Sequence, residues 1–229
     1  MIEHIDVEEG IWVDELLRRG KGCAFGLGRL SQAADILYEM VSGDTTVFMG
    51  LAGAMVPAGM RNIITELIRR GCIDVLVMTG ANIVHDLIEA LGYHHLKGPY
   101  LKDDIELRKR GISRIYDVYL SDEAFESLEK WILTIYEEIV SSYTHNFAIP
   151  ISELLSYIGS KIDDKNSIMR AAYDMKVPVF CPAIQDSILG LHAWLFNQTK
   201  RLSVDVFSDM RKIIDIAYQA ESSGAIIIG

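Results

Sequence analysis

Three short segments combine residue types that could hold a ligand close to the main chain. Residues 50–54 (GLAGA) and 79–82 (TGAN) are small or polar, and Asp186 supplies a carboxylate in the third segment. Glycine and alanine allow close approach to the backbone. The segments therefore predict a ligand-binding site. An alternative for Asp186 is that it caps the helix that follows it.

Each segment stands where a parallel strand would end. Short β-favouring or apolar runs precede the segments, and residues with helical spacing follow. The predicted strands are 45–49, 73–78 and 177–184, and the predicted helices are 60–70, 83–91 and 188–196. Gly71 is expected to end the first helix, and Pro178 and Pro182 favour an edge position or an irregular end for the third strand. Because ligands collect beyond the carboxyl ends of parallel strands, we expect the functional site there.

These βα units predict an α/β fold with a Rossmann-like parallel sheet and helices on both faces. We divide the chain into an N-terminal helical segment, 1–44, and an α/β domain, 45–229. The last predicted strand, 225–229, is an apolar run of the kind found in buried strands and ends in glycine, the usual prelude to a ligand loop and a covering helix. We therefore expect the domain to be incomplete at its C-terminal end; the alternative is that this strand closes the sheet.

The remaining periodic segments predict further helices. They are 121–143, 151–162, 167–175 and 205–221, and the charge run 103–110 is expected to be a solvated helix face. Residues 23–29 are glycine-rich, but no strand precedes them as a phosphate-binding loop requires, so we expect only a turn.

The histidines and cysteines give weaker signals. His94 and His95 are adjacent, so their side chains should point in opposite directions, which suits a solvated loop better than a metal site. Cys23, Cys72 and Cys181 are widely spaced and odd in number, which excludes a disulfide framework or a CxxC zinc site. We expect buried thiols, no metal, and a reducing, cytoplasmic compartment.

Composition narrows the class of partner. The chain has 229 residues, is 50% apolar and carries a net charge of −10. The acidic balance argues against a nucleic-acid surface, and no run approaches the roughly 18 uncharged apolar residues of a membrane span. A cationic substrate is compatible with this charge. The first 14 residues also lack the basic and apolar regions of a signal peptide.

Several stretches, taken in order, resemble the deoxyhypusine synthase family over nearly the whole chain. They are 48–54 (FMGLAGA), 57–61 (PAGMR), 73–82 (IDVLVMTGAN), 85–87 (HDL), 110–117 (RGISRIYD), 178–187 (PVFCPAIQDS) and 224–229 (GAIIIG). Together these motifs are specific, although each alone is weak.

The resemblance implies an NAD-dependent enzyme, usually a homotetramer with sites at dimer interfaces. In such enzymes NAD oxidises spermidine, and an aminobutyl group passes through an enzyme lysine to an acceptor lysine. The acceptor lies on the translation factor that carries hypusine, and some relatives use small amines as acceptors instead.

Carried over by position, the resemblance implies that the cofactor contacts small residues and a few polar groups. These are Gly53, Ala54, Pro57, Thr79, Gly80, Ala81, His85 and Asp186. His85 stands where many members have an acidic residue, and a helix residue bonded to a neighbour's backbone is the alternative for it. Leu191 stands where many have an aspartate for the polyamine.

The family's catalytic lysine lies beyond the final glycine-rich strand, and none of the ten lysines here occupies the matching context. We therefore expect residues 1–229 alone to be incomplete for catalysis. Two alternatives remain open: a synthase-like enzyme with a small amine acceptor, and a non-catalytic NAD-binding or assembly subunit. An NAD-dependent deacylase is a weaker idea, because a zinc-bearing version would need a CxxC pair.

Overall fold

The computed structural model describes residues 1–100, 102–142 and 148–229. The strands are β1 (Thr46–Leu51), β2 (Val75–Met78), β3 (Leu96–Lys97), β4 (Ile112–Ile115), β5 (Val118–Ser121), β6 (Ile149–Pro150), β7 (Val179–Phe180), β8 (Val204–Asp205) and β9 (Ser223–Ile228). The helices are α1 (Val13–Arg19), α2 (Phe25–Ser42), α3 (Arg61–Arg69), α4 (Gly80–Ala90), α5 (Asp104–Lys109), α6 (Asp122–Ser142), α7 (Ile151–Ser160), α8 (Ile168–Met175), α9 (Ile188–Phe196) and α10 (Val206–Gln219).

The main sheet is parallel and has the strand order β7-β2-β1-β9. Leu51, the last residue of β1, lies opposite Met78 of β2 and Ile228 of β9. The carboxyl ends of these three strands are therefore level, and the turns that follow them share one edge. This confirms the predicted α/β fold, and it also confirms the edge position of the proline-bearing strand.

Alternating burial explains how β1 and its neighbours form the core. Val47, Met49 and Leu51 of β1 are buried, while the residues between them are half-buried. Their neighbours in the core include Ile64 and Ile68 of α3, which recur at helical spacing. Full burial of such a side chain stabilises the fold by about 1.5–3 kcal/mol.

Local signals fix several helix ends, and the one at Gly71 is as the sequence predicts. Gly71 follows α3 with a φ of 69°, a left-handed conformation that favours glycine at a helix end. Ser167 caps α8 by accepting a hydrogen bond from Arg170 N. The helix predicted at 121–143 is α6, and its last predicted residue, Tyr143, lies outside the described residues.

A second, three-stranded antiparallel sheet has the order β3-β5-β4. The sequence did not predict it. The β4–β5 turn places Tyr116 at a φ of 59°, so it lacks the glycine or asparagine that usually signals a hairpin. The helix predicted from the charge run 103–110 is confirmed as α5, and Asp103 caps it.

Two other sequence predictions are wrong. Residues 25–29 of the glycine-rich segment belong to α2 rather than to a turn. A Cβ on Gly28 would lie 2.1 Å from the Cys23 carbonyl oxygen, so the small residue serves helix packing. The last strand, β9, is not fully buried: alternate residues are exposed, and the Ile227 side chain is 83% exposed.

Within the described ranges, no helix combines the length and apolar character needed to cross a bilayer.

Candidate functional site at the carboxyl edge of the parallel sheet

A buried asparagine joins the turns that follow β1 and β2. Asn82 of α4 is fully buried, and its Nδ2 donates to the Gly53 carbonyl oxygen and to Thr79 Oγ1, both at 3.0 Å. Its Oδ1 accepts from Val56 N at 3.2 Å. Since buried polar groups are costly unless paired, this amide holds the two turns in one fixed arrangement.

The turns after β2 and β7 touch directly at Gly80. A Cβ on Gly80 would lie 2.3 Å from Ser187 Cβ and 3.7 Å from Cys181 Sγ. Any residue larger than glycine would push the two turns apart. The structure thus brings the segments at Gly53, Thr79 and Asp186–Ser187 to one edge, as the sequence predicts.

The turn after β1 is shaped by positive backbone angles. Gly53 has a φ of 62°, and a Cβ there would lie 3.5 Å from the Gly229 Cα, so the end of β9 reaches the same edge. Gly53 is exposed, Ala54 is half-buried, and Pro57 is buried inside a π-helical turn, Val56–Met60. Gly53 is therefore the residue of this turn that is open to a ligand.

The N-terminus of α4 opens onto this edge. The first N–H groups of a helix lack intrahelical partners, and the Thr79 side chain does not cap them because its Oγ1 accepts from Asn82. The first turn contains no acidic residue, and Thr79 and Ala81 are exposed. Such a terminus favours an anionic group.

Asp186 does not cap α9. Ser187 takes that position, with its Oγ accepting from Gly190 N. Asp186 instead ends a short 3₁₀ turn, Ile184–Asp186, and is exposed. The capping alternative is wrong because the turn shifts the helix start by one residue, which leaves the carboxylate accessible.

His85 belongs to a hydrogen-bonded cluster within α4 and the segment after it. Its Nδ1 lies 2.9 Å from His95 Nε2, and His95 Nδ1 lies 2.6 Å from Glu89 Oε1. His94 Nδ1 lies 2.9 Å from the other oxygen, Oε2. The solvated-loop prediction is right for His94 but wrong for His95, whose side chain is only 7% exposed because it packs between Glu89 and His85.

Burial and the neighbouring charges set the ionisation of this cluster. Burial, helped by the proximity of His95, lowers the pKa of His85 to about 4, so its imidazole is neutral at pH 7. Burial alone would raise the pKa of Glu89, but hydrogen bonds from His95 and His94 outweigh it and lower that pKa to about 2. Glu89 is therefore a carboxylate that faces two imidazoles.

A buried ion pair anchors α4 to its neighbours. Asp86 Oδ1 accepts from Arg61 Nε at 2.6 Å and from Ile168 N at 3.1 Å. Asp86 Oδ2 accepts from Ser167 Oγ at 2.7 Å and from Met169 N at 3.0 Å. The carboxylate thus holds the start of α8 against α4.

Cysteine and metal chemistry are not prominent in the described residues. Burial raises the pKa of the Cys181 thiol to about 11, which leaves it protonated and unreactive. The prediction of buried thiols is right for Cys181 but wrong for Cys23 and Cys72, which are only partly buried. In the ranges 1–100, 102–142 and 148–229, no group of three or more His, Cys, Asp or Glu side chains could hold a metal ion.

Three contributors to this region were missed in the sequence. Asn82 lies within a motif of small residues, Ser187 lies between the predicted strand 177–184 and the predicted helix 188–196, and no local pattern links His95 to His85. The spacing of His85 and Glu89, four residues apart on one helix face, was a usable signal. The approach of His95 depends on the path of the chain after α4, which no local pattern encodes.

The sheet, with its glycine-bearing turns at level strand ends, defines an α/β protein of the kind that binds ligands at that edge. A profile of the family described as deoxyhypusine synthase matches residues 15–229. The chain belongs to the deoxyhypusine synthase family.

Individual relatives agree with this membership. The chain is 53% identical over 218 residues to "Probable deoxyhypusine synthase 1" of Methanosarcina mazei, covering 95% of this chain and 67% of that protein. It is 42% identical over 224 residues to the protein of the same name from Archaeoglobus fulgidus, covering 98% and 72%.

A crystal structure of a "putative deoxyhypusine synthase" from Entamoeba histolytica matches with a TM-score of 0.78 at 20% identity. The match covers 100% of this chain and 79% of that one, and it supports the fold.

Proposed function

We propose that this protein serves the NAD-dependent transfer of the aminobutyl group of spermidine to a lysine of the hypusine-bearing translation factor. Family membership supports a transferase of this type. The structural observation that carries the proposal is that three turns, each following a parallel strand, meet at one edge of the sheet. Asn82 joins two of them by hydrogen bonds, and the third contacts them at Gly80.

The residues at this edge suit a dinucleotide. The uncapped start of α4 would receive the pyrophosphate, and Gly53 would let the cofactor approach the turn after β1. The exposed Asp186 and Thr79 offer an acceptor and a hydroxyl for polar groups of the cofactor. When bound, NAD would accept a hydride from the carbon next to an amine nitrogen.

The proposal assigns NAD binding and amine positioning to the described residues, and none of the ten lysines is given the reactive role. An assembly of four chains, with sites completed at dimer interfaces, is part of the same proposal. In this proposal the cofactor site takes its shape from four small residues, Ala54, Pro57, Gly80 and Ala81.

Leu191 favours a second candidate, a synthase-like enzyme whose acceptor is a small amine. It is half exposed on α9, where the resemblance implies an aspartate for the polyamine. An apolar side chain there removes one carboxylate that would pair with an ammonium group. Competition between spermidine and shorter diamines in calorimetry would separate the two candidates.

The cofactor site is tested by an added charge that should not harm folding. Ala81→Asp places a carboxylate in the first turn of α4, where the helix dipole favours it, so stability should be kept. The same carboxylate would repel the pyrophosphate, and we expect NAD affinity to fall at least tenfold in calorimetry. Ala33→Asp, on the exposed surface of α2, is the matched control and should bind NAD as the wild type does.

Two outcomes would contradict the proposal: a wild-type protein that does not bind NAD, or equal affinities for wild type and Ala81→Asp. Adding spermidine after NAD then separates an amine-using enzyme from a simple NAD-binding subunit. Tighter spermidine binding in the presence of NAD is expected for the enzyme, whereas the subunit should bind NAD alone.

A further inference from the structure

Glu89, His95 and His85 form a continuous hydrogen-bonded row, which we call the histidine row. It starts at the Glu89 carboxylate, passes through both nitrogens of His95 and ends at His85 Nδ1, with distances of 2.6 and 2.9 Å. Glu89 also accepts from the His95 backbone N at 2.9 Å, which fixes the position of this residue. Both imidazoles are buried, and their rings meet edge to face at a centroid distance of 4.9 Å.

The row dictates where each proton lies. Ionised Glu89 can only accept, so His95 Nδ1 must carry a proton and donate it. When His95 is neutral, its Nε2 has a lone pair and must accept from His85 Nδ1–H. His85 Nε2 is then left with a free lone pair, and no described residue donates a hydrogen bond to it.

Helix geometry directs His85 toward the site. It lies one turn after Ala81, which is exposed at the start of α4, and side chains on a helix lean toward its N-terminus. The ring of Phe125 packs edge to face against it at a centroid distance of 6.4 Å. The His85 side chain is therefore directed toward the N-terminal end of α4, where Thr79 and Ala81 are exposed.

The other end of the row is open to solvent. Glu89, His94 and His95 line a cleft of about 600 Å³ together with Arg61 and Asp164. The Arg61 guanidinium faces this cleft but is paired with Asp86 and Asp164, so the charge nearest His95 is the Glu89 carboxylate. A proton that arrives at His95 would be stabilised by the Glu89 carboxylate. It would then exchange with solvent in the cleft, where the His94 side chain is exposed.

We propose that the histidine row is a proton relay that removes a proton from an ammonium group of the amine substrate. This role rests on the proposed function. The ammonium N–H bond breaks and the proton joins His85 Nε2, while the Nδ1 proton of His85 moves to His95 Nε2. The positive charge leaves the substrate and ends on His95, beside Glu89.

The relay provides what amine oxidation requires. A protonated amine has no lone pair to assist hydride loss from the adjacent carbon, whereas the neutral amine has one. The hydride then goes to NAD, the oxidant of the proposed function, and the imine nitrogen keeps the positive charge. Moving the first proton to His95 also avoids a charged imidazole at the buried His85 position.

The tautomers can be tested without any cofactor by ¹⁵N NMR of histidine-labelled protein. At a pH where His95 is neutral, His85 should carry its proton on Nδ1, the less common tautomer. His95→Phe, which keeps the ring and removes the acceptor, should give the Nε2–H tautomer at every pH where His85 is neutral.

His94→Gln is the matched control, because His94 contacts the same carboxylate but does not touch His85. It should leave the His85 tautomer unchanged. An Nε2–H tautomer in the wild type, or no change in His95→Phe, would overturn the relay whether or not NAD binds. If the tautomers agree but NAD does not bind, the cofactor proposal fails and with it the relay's role in amine oxidation.

The functional readout is spermidine-dependent NADH formation across a range of pH, which follows the hydride transfer and not the later lysine-dependent step for which residues 1–229 are expected to be incomplete. General-base catalysis contributes about 10²–10⁴-fold, so His95→Phe should lose at least 100-fold at pH 7 while binding NAD normally. The loss should shrink as the pH rises, because solvent then deprotonates the ammonium without help. A loss that is the same at every pH would indicate a merely structural role and refute the relay.

Discussion

Replacing Asp86 with asparagine should destabilise the protein severely although the side-chain volume hardly changes. In the wild type both carboxylate oxygens are occupied, one by Arg61 Nε and Ile168 N and the other by Ser167 Oγ and Met169 N. The asparagine NH₂ group must replace one of these oxygens. At least one buried backbone N–H then loses its acceptor, and Arg61 loses its closest negative charge.

The magnitude follows from the burial of this pair. Asp86 is fully buried and the Arg61 side chain is 13% exposed, so solvent screens their interaction little. Removing one partner of a buried ion pair costs about 3–5 kcal/mol, mainly because the other charge stays buried. Since domains have unfolding free energies of about 5–15 kcal/mol, Asp86→Asn should remove a large part of the total.

Urea unfolding followed by tryptophan fluorescence measures this change. Asp164→Asn is the matched control, because Asp164 bonds the same guanidinium but is 28% exposed. The control should cost no more than about 1 kcal/mol, as exposed pairs do. If Asp86→Asn cost less than 1 kcal/mol, or no more than the control, the reasoning about the buried network would be refuted.

Two further predictions concern other parts of α4. Acidification from pH 7 to pH 4 should reduce the unfolding free energy, because unfolded His85 takes up a proton near pH 6.5 whereas folded His85 does so only near pH 4. This contribution is complete above pH 6.5 and amounts to roughly 3 kcal/mol lost by pH 4. His85→Gln should flatten the pH dependence of urea unfolding in that window, and an unchanged slope would contradict it. Gly80→Ala should lower the melting temperature, since overpacking costs about 1–3 kcal/mol and its Cβ would meet Ser187 at 2.3 Å. Gly26→Ala in α2, where the Cβ meets nothing within 4 Å, should be neutral or stabilising in the same calorimetric scan, and equal losses would rule out the steric argument.

The sequence predicted those features that depend on local pattern or on a general rule of parallel sheets. The buried runs of β1 and β2, the amphipathic α3 and the glycine after it are local signals, and the structure has all of them. The meeting of the turns at Gly53 and Thr79 follows because neighbouring parallel strands end at the same edge.

What could not be predicted depends on contacts between distant segments or on single-residue register. His95 is buried only because its segment folds back onto α4, and its sequence context looks like a solvated loop. Ser187 rather than Asp186 caps α9 because a 3₁₀ turn advances the chain by one residue. The β4–β5 hairpin was hidden because its turn uses Tyr116 in a conformation that glycine normally adopts.

The buried amide of Asn82 also makes one part of the candidate site more rigid than the rest. Moving the turns after β1 and β2 apart would leave the buried donors and the acceptor of Asn82 without partners. These two turns therefore form a rigid floor of the candidate site. The turn before α9 meets this floor at Gly80 through the packing of Ser187. This contact between Gly80 and Ser187 is steric, so the α9 side of the site is held against the other two turns by close packing and not by a buried amide.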